Sequence, residues 1–86
     1  MPANDVAKAD AWPRDGVEQV KAIQRLLRDM KILNDPADGQ LGPATRAAIL
    51  EYERLSGLKE TGEPSKVLFD SMKETRALMT SKGGSN

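Results

Sequence analysis

The sequence has no cysteine and no histidine, and its 86 residues include one tryptophan, one tyrosine and one phenylalanine. Without cysteine, no disulfide can staple a small fold and thiol chemistry is excluded. Without histidine, the commonest general base and the commonest zinc ligand are both missing. An excess of charge is missing too, because 13 Lys and Arg balance 13 Asp and Glu. That balance argues against a strong electrostatic grip on nucleic acid or anionic lipid. No apolar run approaches the roughly 20 residues that a membrane span requires. The opening stretch MPANDVAKADAWPRDG lacks the basic-then-apolar layout of a signal peptide. Two compartments stay open on this reading: the cytosol, or the outside of the membrane as a domain of a longer exported protein.

What is present suits one small domain. Residues 1–14 are rich in Ala, Asp, Asn and Pro without apolar periodicity, and are expected to form a flexible arm. Trp12 is the exception there, and its ring is expected to pack back on the first helix. That helix should begin at Asp15, which with Glu18 makes a capping-box-like pair. Val20, Ile23, Leu26, Leu27 and Met30 then recur at helical spacing, with Lys21, Arg25 and Arg28 on the opposite face. The Pro and Asx residues of ILNDPADG should end it near Lys31.

The second helix has the clearest start. Gly42 suits the N-cap and Pro43 the first helical position, where no N–H is missed. Ala44, Thr45, Ala48, Ile49, Tyr52 and Leu55 should share one face. Gly57 should end the helix in the left-handed conformation, with Leu58 as its clasp. A third helix is expected from about Lys66 to Met79 behind Ser65, with Val67, Leu68, Met72, Thr75 and Met79 turned inward and Lys66–Asp70 as an exposed pair. DGQLGPATRAAI also aligns with TGEPSKVLFDSM as a weak internal repeat, Gly39 over Gly62, Thr45 over Leu68 and Ile49 over Met72. The expected fold class is all-α, a small three-helix orthogonal bundle over residues 15–80, with a flexible C-terminal tail at 81–86.

The stretch around the first turn invites three chemical readings. A calcium loop fails because Pro36 occupies a required liganding position and Thr45, six residues after Gly39, stands where a bidentate Glu is required. A phosphate loop fails because GQLGPAT has no Gly-Lys-Ser/Thr. Paired carboxylates exist at Glu51/Glu53 and Glu60/Glu63, yet a domain this small offers little cleft for them to face each other. The backbone reading is stronger. Asp38 can fold onto the N–H groups after it, Gly39 can supply positive φ, Leu41 can enter the core, and Thr45 can bond back toward the loop.

VKAIQRLLRDMKIL, DGQLGPATRAAILEYERLSGL and TGEPSKVLFDSM together resemble the type 1 peptidoglycan-binding domain, a three-helix cell-wall module. Ile23-Gln24, Leu27, Asp38-Gly39, Leu41-Gly42, Thr45, Ala48-Ile49, Tyr52, Gly57-Leu58 and Thr61-Gly62 carry the resemblance, from about Val17 to Met72. The chain departs from the family's pattern at Lys31-Ile32, where Gly-Tyr is usual, and at Glu53, where Gln is usual. The resemblance implies a non-catalytic module with no cofactor, attaching a larger envelope protein to bacterial peptidoglycan, by its glycan strand or its stem peptide, in the periplasm or cell envelope. The candidate ligand-binding residues are Gln24, Gln40, Arg46, Glu53 and Arg54. For each of them an ordinary solvated role is the competing reading, and for Gln24 a structural bond to the loop. Two rivals remain. One is a protein-interaction module that has lost glycan affinity, which an exposed patch at Leu50, Ile32 or Trp12 would favour. The other is a helix-turn-helix DNA binder using Arg46, Lys59 and Arg54, against which the zero net charge weighs.

Overall fold

The structure, a computed structural model, describes residues 11–84, with side chains described to Met79. Three helices follow in order: α1 (Gly16–Asp29), α2 (Pro43–Ser56) and α3 (Lys66–Gly84). No strand occurs among the described residues, and no described helix is long and apolar enough to cross a membrane.

Each helix starts on the residue that its local chemistry favours. Asp15 is the extended N-cap of α1, and its carboxylate accepts from the Glu18 N–H at 3.2 Å. Glu18 does not complete a reciprocal box; its carboxylate lies 3.6 Å from Lys21 Nζ. Gly42 caps α2 and Pro43 opens it. Ser65 caps α3, its hydroxyl accepting from the Leu68 N–H at 3.1 Å.

The ends of α1 and α2 use one device with different residues. Gly57 is left-handed (φ 75°) and the Leu58 N–H returns to the Glu53 carbonyl at 2.9 Å. At the end of α1 the same place is taken by Lys31, at φ 63° the one non-glycine residue with positive φ among those described. The Ile32 N–H bonds the Leu27 carbonyl at 2.9 Å and the Lys31 N–H bonds the Arg28 carbonyl at 3.0 Å. Helix closure is therefore retained without the glycine, at the cost of a Cβ in a crowded conformation.

The core comprises Ile23, Leu26, Leu27 and Met30 of α1, Leu33 of the first loop, Ala48, Ile49 and Tyr52 of α2, and Leu68, Phe69 and Met72 of α3. Leu41 and Leu58 pack against it, half-buried. The Tyr52 hydroxyl joins α2 to α3, lying 2.7 Å from Ser71 Oγ and 2.9 Å from Thr75 Oγ1.

Several expectations on burial need correction. Leu55 is 68% exposed and Ala44 is also on the surface. The last turn of α2 runs past the edge of the core, and after the reversal at Gly57 it is Leu58 that covers that edge. Val67 is 69% exposed while Phe69 is buried. The inward arc of α3 is centred between Leu68, Phe69 and Met72, and at about 100° per residue Val67 falls outside it. Met79 is exposed as well. The α3 backbone is helical to Gly84, beyond the expected end at Met79 and into the segment expected as a tail. No proline interrupts it, and Gly83 and Gly84 are themselves helical despite their low helix propensity. Of the expected arm, residues 1–10 lie outside the described residues. Its end is docked rather than free, since Trp12 meets Phe69 at a centroid distance of 5.1 Å and the Pro13 carbonyl accepts from Gln19 Nε2 at 2.8 Å.

The strained helix end yields a first prediction. A left-handed non-glycine residue costs about 1–2 kcal/mol, partly offset by the extra unfolded-state entropy of glycine. Lys31→Gly should therefore raise stability by about 0.5–1 kcal/mol in urea unfolding, with an unchanged m-value. Gly57→Ala should lower it by a similar amount.

Candidate functional site

The first loop is organised from beneath by one amide. Gln24 of α1 is 1% exposed. Its Oε1 accepts from the Gly39 N–H at 2.8 Å. Its Nε2 donates to Thr45 Oγ1 at 2.9 Å, to the Gln40 carbonyl at 3.1 Å and to Asp38 Oδ1 at 3.2 Å. One side chain thus joins α1, the turn and the start of α2. Thr45 bonds back to α1 through Gln24 rather than to the loop. Asp38 forms the expected Asx turn, accepting from the Gln40 N–H at 2.9 Å. That bond first, and the Gln24 amide second, hold the Asp38 carboxyl below its ordinary value of 3.8, against a smaller opposing effect of desolvation.

The second loop is built the same way with the polarity reversed. Glu53 of α2 is 3% exposed. Its Oε1 accepts from the N–H groups of Thr61 and Gly62 at 2.8 and 2.9 Å, and its Oε2 accepts from the Thr61 hydroxyl at 2.9 Å. In the first loop the turn side chain, Asp38, is an acceptor, so the residue beneath must bring donors as well as an acceptor, as Gln does. In the second loop the turn side chain is Thr61, which donates, so an acceptor-only carboxylate fits. The departure from Gln at position 53 is matched by the hydroxyl at position 61.

The correspondence extends to the turn glycines. A Cβ on Gly39 (φ 80°) would lie 2.6 Å from Val17 Cγ1 and 3.3 Å from Lys21 Cγ. A Cβ on Gly62 (φ 70°) would lie 3.0 Å from Arg46 Cγ and 3.2 Å from Leu50 Cγ. Val17, Lys21 and Gln24 on α1 therefore hold the same register against their turn as Arg46, Leu50 and Glu53 on α2. The weak repeat of the sequence is a repeat in space, with a longer loop in its first copy.

Each turn borders an open groove. The first, of about 360 Å³, is lined by Asp35, Asp38, Gln40, Ala44 and Thr45 among others. The second, of about 310 Å³, is lined by Leu58, Thr61, Glu63, Val67 and Leu68 at the matching places, with Lys59 and Pro64 beside them. Asp35, Ala44 and Thr45 of the first are thus replaced by Leu58, Val67 and Leu68 in the second. One groove is polar and the other largely aliphatic.

The five candidate residues do not converge. Gln24 and Glu53 are interior, and all their side-chain oxygens and nitrogens are bonded within the domain, so their role is to hold the turns. Gln40 is exposed on the first groove. Arg46 is exposed at the second turn, 3.9 Å from Glu63. Arg54 stands on the outer face of α2, 3.6 Å from Glu51. The second groove, with Leu58, Lys59 and Val67, was not among the candidates. The internal repeat was the signal for it, since it places Glu63 over Gln40 and Val67 over Ala44. Among the described residues no group of carboxylates is placed to hold a metal ion.

The described residues thus form a three-helix domain with twin glycine turns, each tied from below by a buried polar side chain. The family model described as "Putative peptidoglycan binding domain" matches residues 16–72, which include both turns and both interior anchors. The chain belongs to that family. The domain detected is a non-catalytic binding domain, and it implies association with the cell wall or envelope. No curated protein and no solved structure gives a significant match to the chain.

Two predictions follow from the anchors. Gln24→Glu puts a carboxylate oxygen against Asp38 Oδ1, the Gln40 carbonyl and Thr45, and should destabilise by about 3 kcal/mol. Glu53→Gln keeps the acceptor for both N–H groups and should cost only about 1 kcal/mol; denaturant unfolding of the two variants reads the difference. For pH, the folded Asp38 carboxyl titrates below its unfolded value. Its contribution is therefore present above pH 3.8 and lost as pH falls through the folded value. Asp38→Asn should flatten the fall in thermal midpoint below pH 3.8 and leave the neutral-pH slope unchanged.

Proposed function

We propose that this domain attaches a larger envelope protein to bacterial peptidoglycan, in the periplasm or on the outer side of the membrane, with residues 15–80 as the binding module. The observation that carries the reading is the family match, whose span covers both turn grooves. Gln40 on the first groove and Arg46 at the second are the candidate residues that remain on the surface beside them, with Arg54 on the flank. Among the described residues, neither groove is lined by an aromatic ring. Tyr52 and Phe69 are buried, and Trp12 is packed on Phe69. Stacking on sugar faces therefore has no provider in these grooves, which favours the stem peptide, with its amides, charges and methyl side chains, over the glycan strand.

The rival protein-interaction reading was to rest on a patch at Leu50, Ile32 or Trp12. All three are half-buried, and Ile32 and Trp12 pack against the core. The DNA-binding reading loses two of its cations to pairing, Arg46 with Glu63 and Arg54 with Glu51.

The domain should co-sediment with insoluble sacculi, and soluble muropeptides should shift amide signals around Gln40 and Glu63. Gln40→Ala and Arg46→Ala should each weaken binding several-fold without lowering the thermal midpoint by more than a few degrees. Failure to sediment, together with no shifts at millimolar muropeptide, refutes the reading.

A further inference from the structure

The charges of this neutral chain are not evenly spread. Four of its six arginines, Arg14, Arg25, Arg28 and Arg76, lie along the face where α1 meets α3. Among the described residues, Arg25, Arg28 and Arg76 line a cleft of about 340 Å³ with one carboxylate, Asp29. Arg25 also lines the adjoining hollow, which holds Trp12, Arg14 and Glu18. Lys73 adds a further cation beside it, 5.0 Å from the centroid of the Phe69 ring on which Trp12 packs.

The acidic groups of this face are already engaged. Asp29 binds Arg76 at 3.2 Å, and Glu18 lies 3.6 Å from Lys21. Asp29 is placed one turn after Arg25, where an ordinary i,i+4 pair would form, yet its carboxylate is taken by α3. The guanidinium groups of Arg14, Arg25 and Arg28 are left without a carboxylate among the described residues. The contrast with the turn side is plain, where Asp35, Asp38, Glu53 and Glu63 stand against Arg46 and Lys59. The domain is thus polarised, with acid at the turns and base on the α1–α3 face.

We propose that the α1–α3 cleft is a phosphate-binding site, separate from the turn grooves, with Arg25 and Arg28 as its principal ligands. The free guanidinium groups offer forked N–H donors that match an oxyanion bearing several oxygens better than a single carboxylate does. Gathering like charges at one cleft is unfavourable in the free protein, and an anion of more than one charge relieves it. The size of the cleft suits one or two phosphate groups of a linked polyphosphate chain. Its acidic flank at the turns opposes wrapping by a long duplex.

The test uses the full chain, sodium tripolyphosphate as probe, and the Nε–Hε signals of the arginine side chains. At low salt, the Arg25 and Arg28 signals should shift saturably while that of Arg54 does not. The double variant Arg25→Gln/Arg28→Gln should weaken the apparent affinity at least about tenfold. Arg54→Gln should leave it within twofold, and both variants should keep the wild-type thermal midpoint. Orthophosphate in a parallel arm should bind more weakly, marking the site as one for linked phosphates; equal or tighter orthophosphate binding overturns the polymer assignment. Polyglutamate at matched charge, binding as tightly and with the same sensitivity to the variants, overturns the phosphate assignment. Linear shifts spread over all arginines, or affinity unchanged in the double variant, overturns the site itself.

Discussion

The buried amide of Gln24 is the contact on which the first half of the fold depends. It lies on the core side of α1, and its four hydrogen bonds reach a turn N–H, a turn carbonyl, the Asx carboxylate and the first turn of α2. Without it the Gly39 N–H and the Thr45 hydroxyl would sit in the interior lacking this partner. With them satisfied, the glycine turn can press against α1 closely enough that a methyl group at Gly39 would collide with Val17. The direction of α2, and so the packing of Ile49 and Tyr52 against α1 and α3, follows from that closure.

Glu53 repeats the arrangement in the second half, and comparing the two shows what the arrangement requires. What recurs is complementarity between the interior side chain and the turn, rather than any one residue. An acceptor at Asp38 goes with an amide at Gln24, and a donor at Thr61 goes with a carboxylate at Glu53. Both leave the turn glycine N–H donating to an interior oxygen. The grooves beside the turns inherit this common frame while their linings diverge, one polar and one aliphatic. A repeated scaffold in this way carries two different surfaces.

Much of the frame was legible in the residue order. The stripe Val20, Ile23, Leu26, Leu27 and Met30, the Gly42-Pro43 start and the Gly57 stop are local signals, set by helical periodicity and backbone geometry, and the structure carries each of them. The registers of Val67 and Phe69 were not legible, because a helix with apolar residues at three successive positions, 67 to 69, has two possible inward arcs. Packing against α1 chooses between them. Among the candidate ligand residues, Gln40, Arg46 and Arg54 lie on the surface. For Gln24 a structural bond to the loop was one of the open readings, and that is the one found; Glu53 could not be told from a surface group by type, since a polar side chain at a helical position is buried only if a partner closes over it.

The sequence by itself determined the helices, their caps, the positive-φ glycine turns and the membership of a cell-wall-binding family, because these rest on contacts between residues near in the chain or on a linear pattern of them. Tertiary structure alone decided the rest. It placed two polar side chains in the interior as turn anchors, made two grooves out of a faint repeat, and gathered arginines from α1 and α3 on one face. Those outcomes depend on which donor meets which acceptor across separate helices, and no local spacing encodes that meeting.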